Sequence, residues 1–156
     1  MIETVKQYAI GIDIGGTNTK FGLIDTRGEI LYRGAISTKK HTELPDFINE
    51  LYDAVLPAIE SVGTINDIKG IGVGAPNGNY YKGTIDFAPN LPWKGVVPMA
   101  QLISEKFGLP TTLTNDANAA AVGEMMYGAA RGMKDFIMIT LGTGVGSGIF
   151  ANGQLI

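Results

Sequence analysis

Apolar residues alternate with polar or glycine positions over residues 8–14, 19–25 and 29–36, and short turns containing glycine separate the three runs. A period of two places one set of side chains on one face, so these runs predict three successive antiparallel strands. After Thr42 the period changes. Leu44, Phe47, Ile48, Leu51 and Val55 recur at three- and four-residue spacing with Pro45 in the first turn, which predicts an amphipathic helix. Pro57 lacks the N–H that a helix interior uses, so it is expected to kink or end that helix.

Ile68 to Gly74 reads as a buried strand. The connection from Ala75 to Lys94 is rich in Gly, Pro and Asn and is expected to hold a short hairpin; connections of that length are often functional. A helix over 96–107 and a strand over 111–114 follow. Asn115-Asp116 then opens a helix of small residues running from Ala117 to about Tyr127. The order βββαβαβα, with right-handed crossovers after the three antiparallel strands, predicts an α/β fold with a mixed sheet covered by helices. Residues 136–150 add two apolar strands around a second glycine turn. With no helix after it, that hairpin is expected to leave an edge and one face without a partner. The expected organisation is therefore a domain over 1–130 and, over 131–156, the first hairpin of another, with self-association through the open edge.

Composition narrows the classes. A chain of 156 residues, 45% hydrophobic, is about one domain and can bury a core without staples. A net charge of −3 with no basic cluster argues against nucleic-acid binding, which needs Lys and Arg to neutralise several phosphates. The absence of cysteine removes a disulfide framework, a Cys-type zinc site and a thiol nucleophile from these residues, and fits a reducing cytoplasm. The first residues carry no basic start followed by an apolar run, and no window approaches the ~18 apolar residues of a span. Neither a secretory signal nor a membrane partner is expected.

The chemistry concentrates in turns. Asp13 ends an apolar strand and is followed by Gly15-Gly16-Thr17, where glycines let main-chain N–H groups approach an anion and a hydroxyl adds a donor. A carboxylate only accepts hydrogen bonds, so Asp13 suits Mg²⁺ or its waters beside phosphates; Lys20 adds positive charge. Leu141-Gly-Thr-Gly-Val-Gly146 is a second such turn, and together the two suit a clamp on a nucleotide triphosphate. The first turn equally suits a plain β-hairpin.

Asn115-Asp116 lies where a strand gives way to a helix, and ligands gather at the carboxyl ends of strands in open α/β sheets. Phosphoryl transfer needs an oriented hydroxyl, an acceptor for its proton and neutralised phosphate charge, which makes Asp116 the candidate base. Both residues also suit a helix N-cap. Trp93 reads as a core aromatic or, bracketed by Pro92 and Gly95, as part of a pocket rim. A dinucleotide fingerprint fails, because after Gly72 and Gly74 its third glycine falls at Asn77.

Five segments in order, Asp13-Ile-Gly-Gly-Thr17, Gly72-Val-Gly-Ala-Pro76, Ala88-Pro-Asn-Leu-Pro-Trp93, Asn115-Asp-Ala-Asn-Ala-Ala120 and Leu141-Gly-Thr-Gly-Val-Gly146, resemble those of bacterial ROK-family sugar kinases, glucokinases above all. The resemblance implies a ribonuclease-H-like domain of the actin-like ATPase superfamily, with a hexose and Mg-ATP held between two such domains. It implies Asp116 as catalytic base, Asn90 and Asn115 as ligands of sugar hydroxyls, and the Gly74–Gly78 loop as a wall of the sugar pocket. Asp13 would position Mg²⁺ through water. Gly15, Gly16, Thr17, Gly142, Thr143 and Gly144 would hold the ATP phosphates, with Asn18 and Lys20 beside them.

The Asn90-to-Trp93 loop favours glucose, phosphorylated at its 6-hydroxyl, and the family expectation is a homo-oligomer, a dimer. Two departures bear on this. Pro76 is followed by Asn77 and then Gly78 where the family has Pro-Gly, and an Asn tolerates left-handed geometry. Family members also run to about twice this length, with a further Glu and His at the sugar, the adenosine pocket and a zinc site in the second domain. The resemblance thus implies the amino-terminal part, a half-site with weak ATP affinity and no turnover alone. His41 reads as a solvated surface residue. Two rivals remain: a sugar-responsive repressor of the same family, which would carry a helix-turn-helix before the first strand, and a nucleotide-binding assembly module.

Overall fold

The computed structural model describes residues 5–142 and 144–156. In chain order the elements are β1 (Tyr8–Ile14), β2 (Asn18–Ile24), β3 (Ile30–Ser37), α1 (Leu44–Glu60), β4 (Ile68–Ala75), β5 (Gly78–Asn79), β6 (Thr84–Asp86), β7 (Val96–Val97), α2 (Met99–Phe107), β8 (Thr111–Asn115), α3 (Asp116–Tyr127), β9 (Phe136–Leu141), β10 (Val145–Ala151) and β11 (Gln154–Leu155). A short 3-10 turn, Ile65–Asp67, capped by Thr64, precedes β4.

The main sheet has the order β3-β2-β1-β4-β8. β1, β2 and β3 are antiparallel neighbours, whereas β4 and β8 run parallel to β1, each reached through a helix. The register explains the alternation in the sequence. Ile12 lies between Phe21 and Val73, and Val73 faces Leu113, so one row of apolar side chains crosses the sheet. That row is buried in a single cluster with Phe47, Leu51 and Val55 of α1 and Ile103 and Phe107 of α2.

Three local readings change. Pro57 does not end α1: the helix runs on to Glu60, and the Pro57 carbonyl accepts the Ser61 N–H at 3.0 Å. A proline this close to the end removes only one late bond. Trp93 is a core aromatic, 7% exposed, with its ring centroid 4.5 Å from that of Phe47. His41 is not solvated. Its ring meets the edge of Phe47 at 6.1 Å and its Nε2 pairs with Glu50, which also accepts from Lys40 Nζ at 2.9 Å. Those contacts, Lys40 first, hold the Glu50 carboxyl below its ordinary value.

The long connection after β4 is more structured than a hairpin. β5, β6 and β7 form a small antiparallel sheet, and because Val96 and Val97 pair with β6, α2 starts at Met99 rather than at 96.

The carboxyl-terminal strands form a third sheet in the order β11-β10-β9. Its partnering differs from the expectation at one edge. β11 takes the outer edge of β10, and one of the two faces packs on α3. That packing is close: a Cβ on Gly146 would lie 3.0 Å from Ala117 Cβ, and one on Gly148 would lie 2.9 Å from the Ala117 carbonyl oxygen. Small residues on the helix and glycines on the strand are two halves of one contact. The other face carries Ile137, Ile139, Leu141 and Val145, all exposed. Among the described residues no helix is long and apolar enough to cross a membrane.

Candidate active site

β1, β4 and β8 end side by side, Asp13 beside Gly74 and Gly74 beside Thr114, and α3 starts where β8 stops. Gly74 carries no side chain between the two acidic positions; a Cβ there would come 3.6 Å from Asp116 Cα. Above these ends opens a cleft of about 980 Å³. Asp13, Gly15 and Gly16 line it from the first turn, Gly78 and Asn90 from the long connection, Asn115 and Asp116 from the head of α3, and Gly142 and Gly144 from the second turn. Most of the expected site residues are therefore brought to one place.

Thr17, Asn18 and Lys20 are not among the lining residues. The Thr17 carbonyl accepts the Thr38 N–H at 2.9 Å, and the Asn18 carbonyl accepts the Gly15 N–H at 3.0 Å, which closes a tight β1–β2 hairpin. Hairpin and cleft wall are one structure here. Lys20 lies opposite Asp13 across that hairpin. Thr143 lies outside the described residues.

The glycines of the first turn are required for clearance rather than for a left-handed backbone, since neither has positive φ. A Cβ on Gly15 would stand 2.8 Å from the Asn18 oxygen, and one on Gly16 would stand 2.7 Å from the Asn90 carbonyl oxygen. Gly16 thus lets the Asn90 loop close onto the first turn. Gly78 does the same at β8, where a Cβ would overlap the Thr114 carbonyl.

Asn115 is the N-cap of α3: its Oδ1 accepts the Asn118 N–H at 2.7 Å. That bond leaves its Nδ2 unused by the cap. Asp116 follows in the first helical turn, where the helix dipole favours negative charge, and its Oδ1 accepts the Ala117 N–H at 2.9 Å. Asp13 has its carboxyl held above the ordinary value, by partial burial first and by the charge of Asp116 second, with Lys20 opposing. Two carboxylates close enough to feel one another fit a dication beside Asp13, which would relieve both effects.

Sequence reasoning missed several lining residues. Asn79, Tyr80, Tyr81 and Asp86 come from the small inserted sheet and its first turn, beside Asn77 of the expected Gly74–Gly78 wall. Asn77 takes the left-handed conformation, φ 53°, while its Nδ2 donates to the Asp86 carbonyl at 3.0 Å, so the turn survives without a Pro-Gly pair. Asp86 accepts from Thr84 Oγ1 at 2.6 Å and Asn79 Nδ2 at 3.2 Å, and these bonds, Thr84 first, hold its carboxyl below the ordinary value. Thr140 and Ser147 line the cleft from β9 and β10. The run Asn77-Gly-Asn-Tyr-Tyr81 was the available signal, polar and aromatic in a loop already marked as long.

The model of the ROK family matches residues 9–156. The chain belongs to the ROK family. It is 37% identical to the glucokinase of Streptomyces coelicolor over 147 residues, 94% of this chain and 44% of that protein. It is also 33% identical to the xylose repressor of Caldicellulosiruptor bescii over 149 residues, 94% of this chain and 37% of that one. Among solved structures, a ROK-family glucokinase from Streptomyces griseus in complex with glucose and AMPPNP aligns with a TM-score of 0.78 at 38% identity, covering 96% of this chain and 46% of that one. The chain spans less than half the length of these relatives. Its α/β fold with a mixed sheet is that of the ROK sugar kinases.

Proposed function

We propose that this cleft is the sugar and phosphate side of a hexose kinase site, acting on glucose at its 6-hydroxyl. The observation that carries the reading is that Asp116, Asn115, Asn90 and the glycines of both turns line one cleft at the strand ends. In the reaction the hydroxyl oxygen attacks the γ-phosphorus of ATP, a new O–P bond forms, and the bond to the β,γ-bridging oxygen breaks with its electron pair leaving on ADP. Asp116 accepts the hydroxyl proton. Its Oδ1 is engaged by the Ala117 N–H, which fixes the carboxylate and leaves Oδ2 for the substrate.

Asn90 and the free Nδ2 of Asn115 orient sugar hydroxyls. The glycine turns at Gly15–Gly16 and at Gly142–Gly144 flank the phosphates from two sides, with the N–H groups of Gly15 and Gly142 already given to the Asn18 and Gly144 carbonyls. Mg²⁺, held near Asp13 through water, supplies charge neutralisation on the phosphates when bound. The strands over 131–156 are read as the start of a second domain that completes the nucleotide pocket. On that reading the 156-residue chain binds Mg-ATP weakly and turns over slowly or not at all by itself.

The test is ADP release from Mg-ATP with a panel of hexoses, using Asp116→Asn as the blank, in this chain and in a form extended to the length of the glucokinases. A base contributes about 10²–10⁴ in rate, so the extended form is expected to lose that factor on substitution while keeping sugar affinity. Equal turnover with Asn at 116 rejects the assignment of the base. The repressor among the relatives makes a regulator the second reading; glucose binding with no phosphorylation in the extended form selects it.

A further inference from the structure

Tyr80 and Tyr81 are 62% and 95% exposed, and their rings meet edge to face with centroids 5.6 Å apart. Two exposed rings in contact at the mouth of a cleft form an aromatic patch of the kind that marks a binding surface. The turn that carries them is well fixed. Gly83 N–H donates to the Asn79 carbonyl at 2.9 Å, Lys82 N–H donates to Asn79 Oδ1 at 3.2 Å, and the Gly83 carbonyl accepts the first-turn Ala100 N–H of α2 at 3.0 Å. Gly83 takes φ +67°, and the small Ala100 side chain sits directly against it. The backbone is held on both sides while the rings stay uncovered.

Both tyrosines line the candidate cleft and also a second, open groove of about 490 Å³. That groove is bounded by Gln101 and Ser104 of α2 and by Thr111 and Thr112 of β8. Its size is that of an ordinary small-molecule site. Among the described residues that line it Lys82 alone is charged, and the others offer hydroxyl, amide and aromatic groups. Ser104 and Thr111 each donate to the Leu109 carbonyl, at 2.8 and 3.2 Å, and keep their oxygens as acceptors. Neutral hydroxyl and amide groups beside an aromatic ring match a sugar ring, which offers hydroxyls around its rim and C–H groups on its faces.

We propose that Tyr80 and Tyr81 form a subsite for a second sugar ring, glycosidically linked to the hexose in the main cleft. This rests on the hexose reading of that cleft. A pre-ordered aromatic platform loses little entropy on binding, so the second ring should add affinity rather than merely be tolerated.

The test is a titration of the chain with glucose, cellobiose and maltose, followed by the ring proton resonances of the tyrosines and by the backbone amides of the cleft. One of the two disaccharides is expected to bind about tenfold more tightly than glucose and to shift the rings of Tyr80 and Tyr81. In the double variant Tyr80→Ala, Tyr81→Ala the ratio of disaccharide to glucose affinity should fall to about one, whereas Tyr80→Phe, Tyr81→Phe should keep most of it. An unchanged amide spectrum elsewhere shows that the variants fold. Glucose binding in the cleft with no gain for either disaccharide, or a gain that survives the double alanine substitution, overturns the subsite and leaves the hexose reading intact. Failure of all three sugars to bind overturns both.

Discussion

The main sheet and the carboxyl-terminal sheet are built from the same two-residue alternation, yet they end in opposite states. In the main sheet the apolar positions Ile10, Ile12, Leu23, Ile71 and Val73 lie beneath α1 and α2 and are almost fully buried. In the other sheet the alternate positions Ile137 and Ile139 stay 63% and 59% exposed, and Leu141 81%. Period two therefore reports a face, not whether the face has a partner. What joins the two sheets is α3, which Asn115 caps and Asp116 opens and whose alanines rest on Gly146 and Gly148. The candidate site lies along that joint.

The contrast predicts effects of different size and reach. Phe47→Ala, in the covered region, removes a fully buried ring packed on Trp93 and should cost about 3–5 kcal/mol, seen as a cooperative loss in denaturant melts of the whole chain. Gly148→Val should cost less, about 1–3 kcal/mol, by forcing β10 off Ala117 and Ala121. Its signature is local: amide exchange should accelerate in β9–β11 and α3 while β1, β2 and β4 keep their protection. Global unfolding at the same midpoint shift would show that the two sheets are one cooperative unit.

Ile139→Ser, on the uncovered face, should change stability by no more than about 0.5 kcal/mol, because an exposed side chain has little to lose. It should instead reduce concentration-dependent association in light scattering. A monomer at every concentration in both forms would remove the case for self-association through this sheet.

The smallest effect is expected at Asp13. Its native carboxyl is raised by burial and by Asp116, so the folded state holds the proton to higher pH than the unfolded chain does. Stability tied to that proton is complete below the ordinary value of 3.8 and is lost as pH rises through the native one. Asp13→Asn should accordingly raise Tm at neutral pH, with the gain vanishing in acid. A gain of equal size at both pH values would assign it to something other than the charge.

Much of the fold was legible because the signals were local. Alternation marked β1 to β3, three- and four-residue spacing marked α1, and Asn115-Asp116 marked the start of α3. The glycines at 15 and 16 were legible as a tight turn between β1 and β2, but what they clear was not. What they make room for is the Asn18 and Asn90 carbonyls, and the approach of Asn90 is a tertiary fact with no sequence period. The same holds for β5 to β7, whose strands of two or three residues are too short to alternate. Trp93 and His41 were undecided or misread for a shared cause: both pack on Phe47, and nothing near them in sequence points to it.

The central claim is that the joint between the two sheets is a sugar site, and an amide-resolved titration of the chain with glucose tests it most directly. The account predicts shifts concentrated on Gly16, Asn90, Asn115 and Asp116, saturating together and weakened by Asn90→Ala. Shifts that are absent at high glucose, or that map instead to the exposed face of Ile137, Ile139 and Leu141, would contradict it.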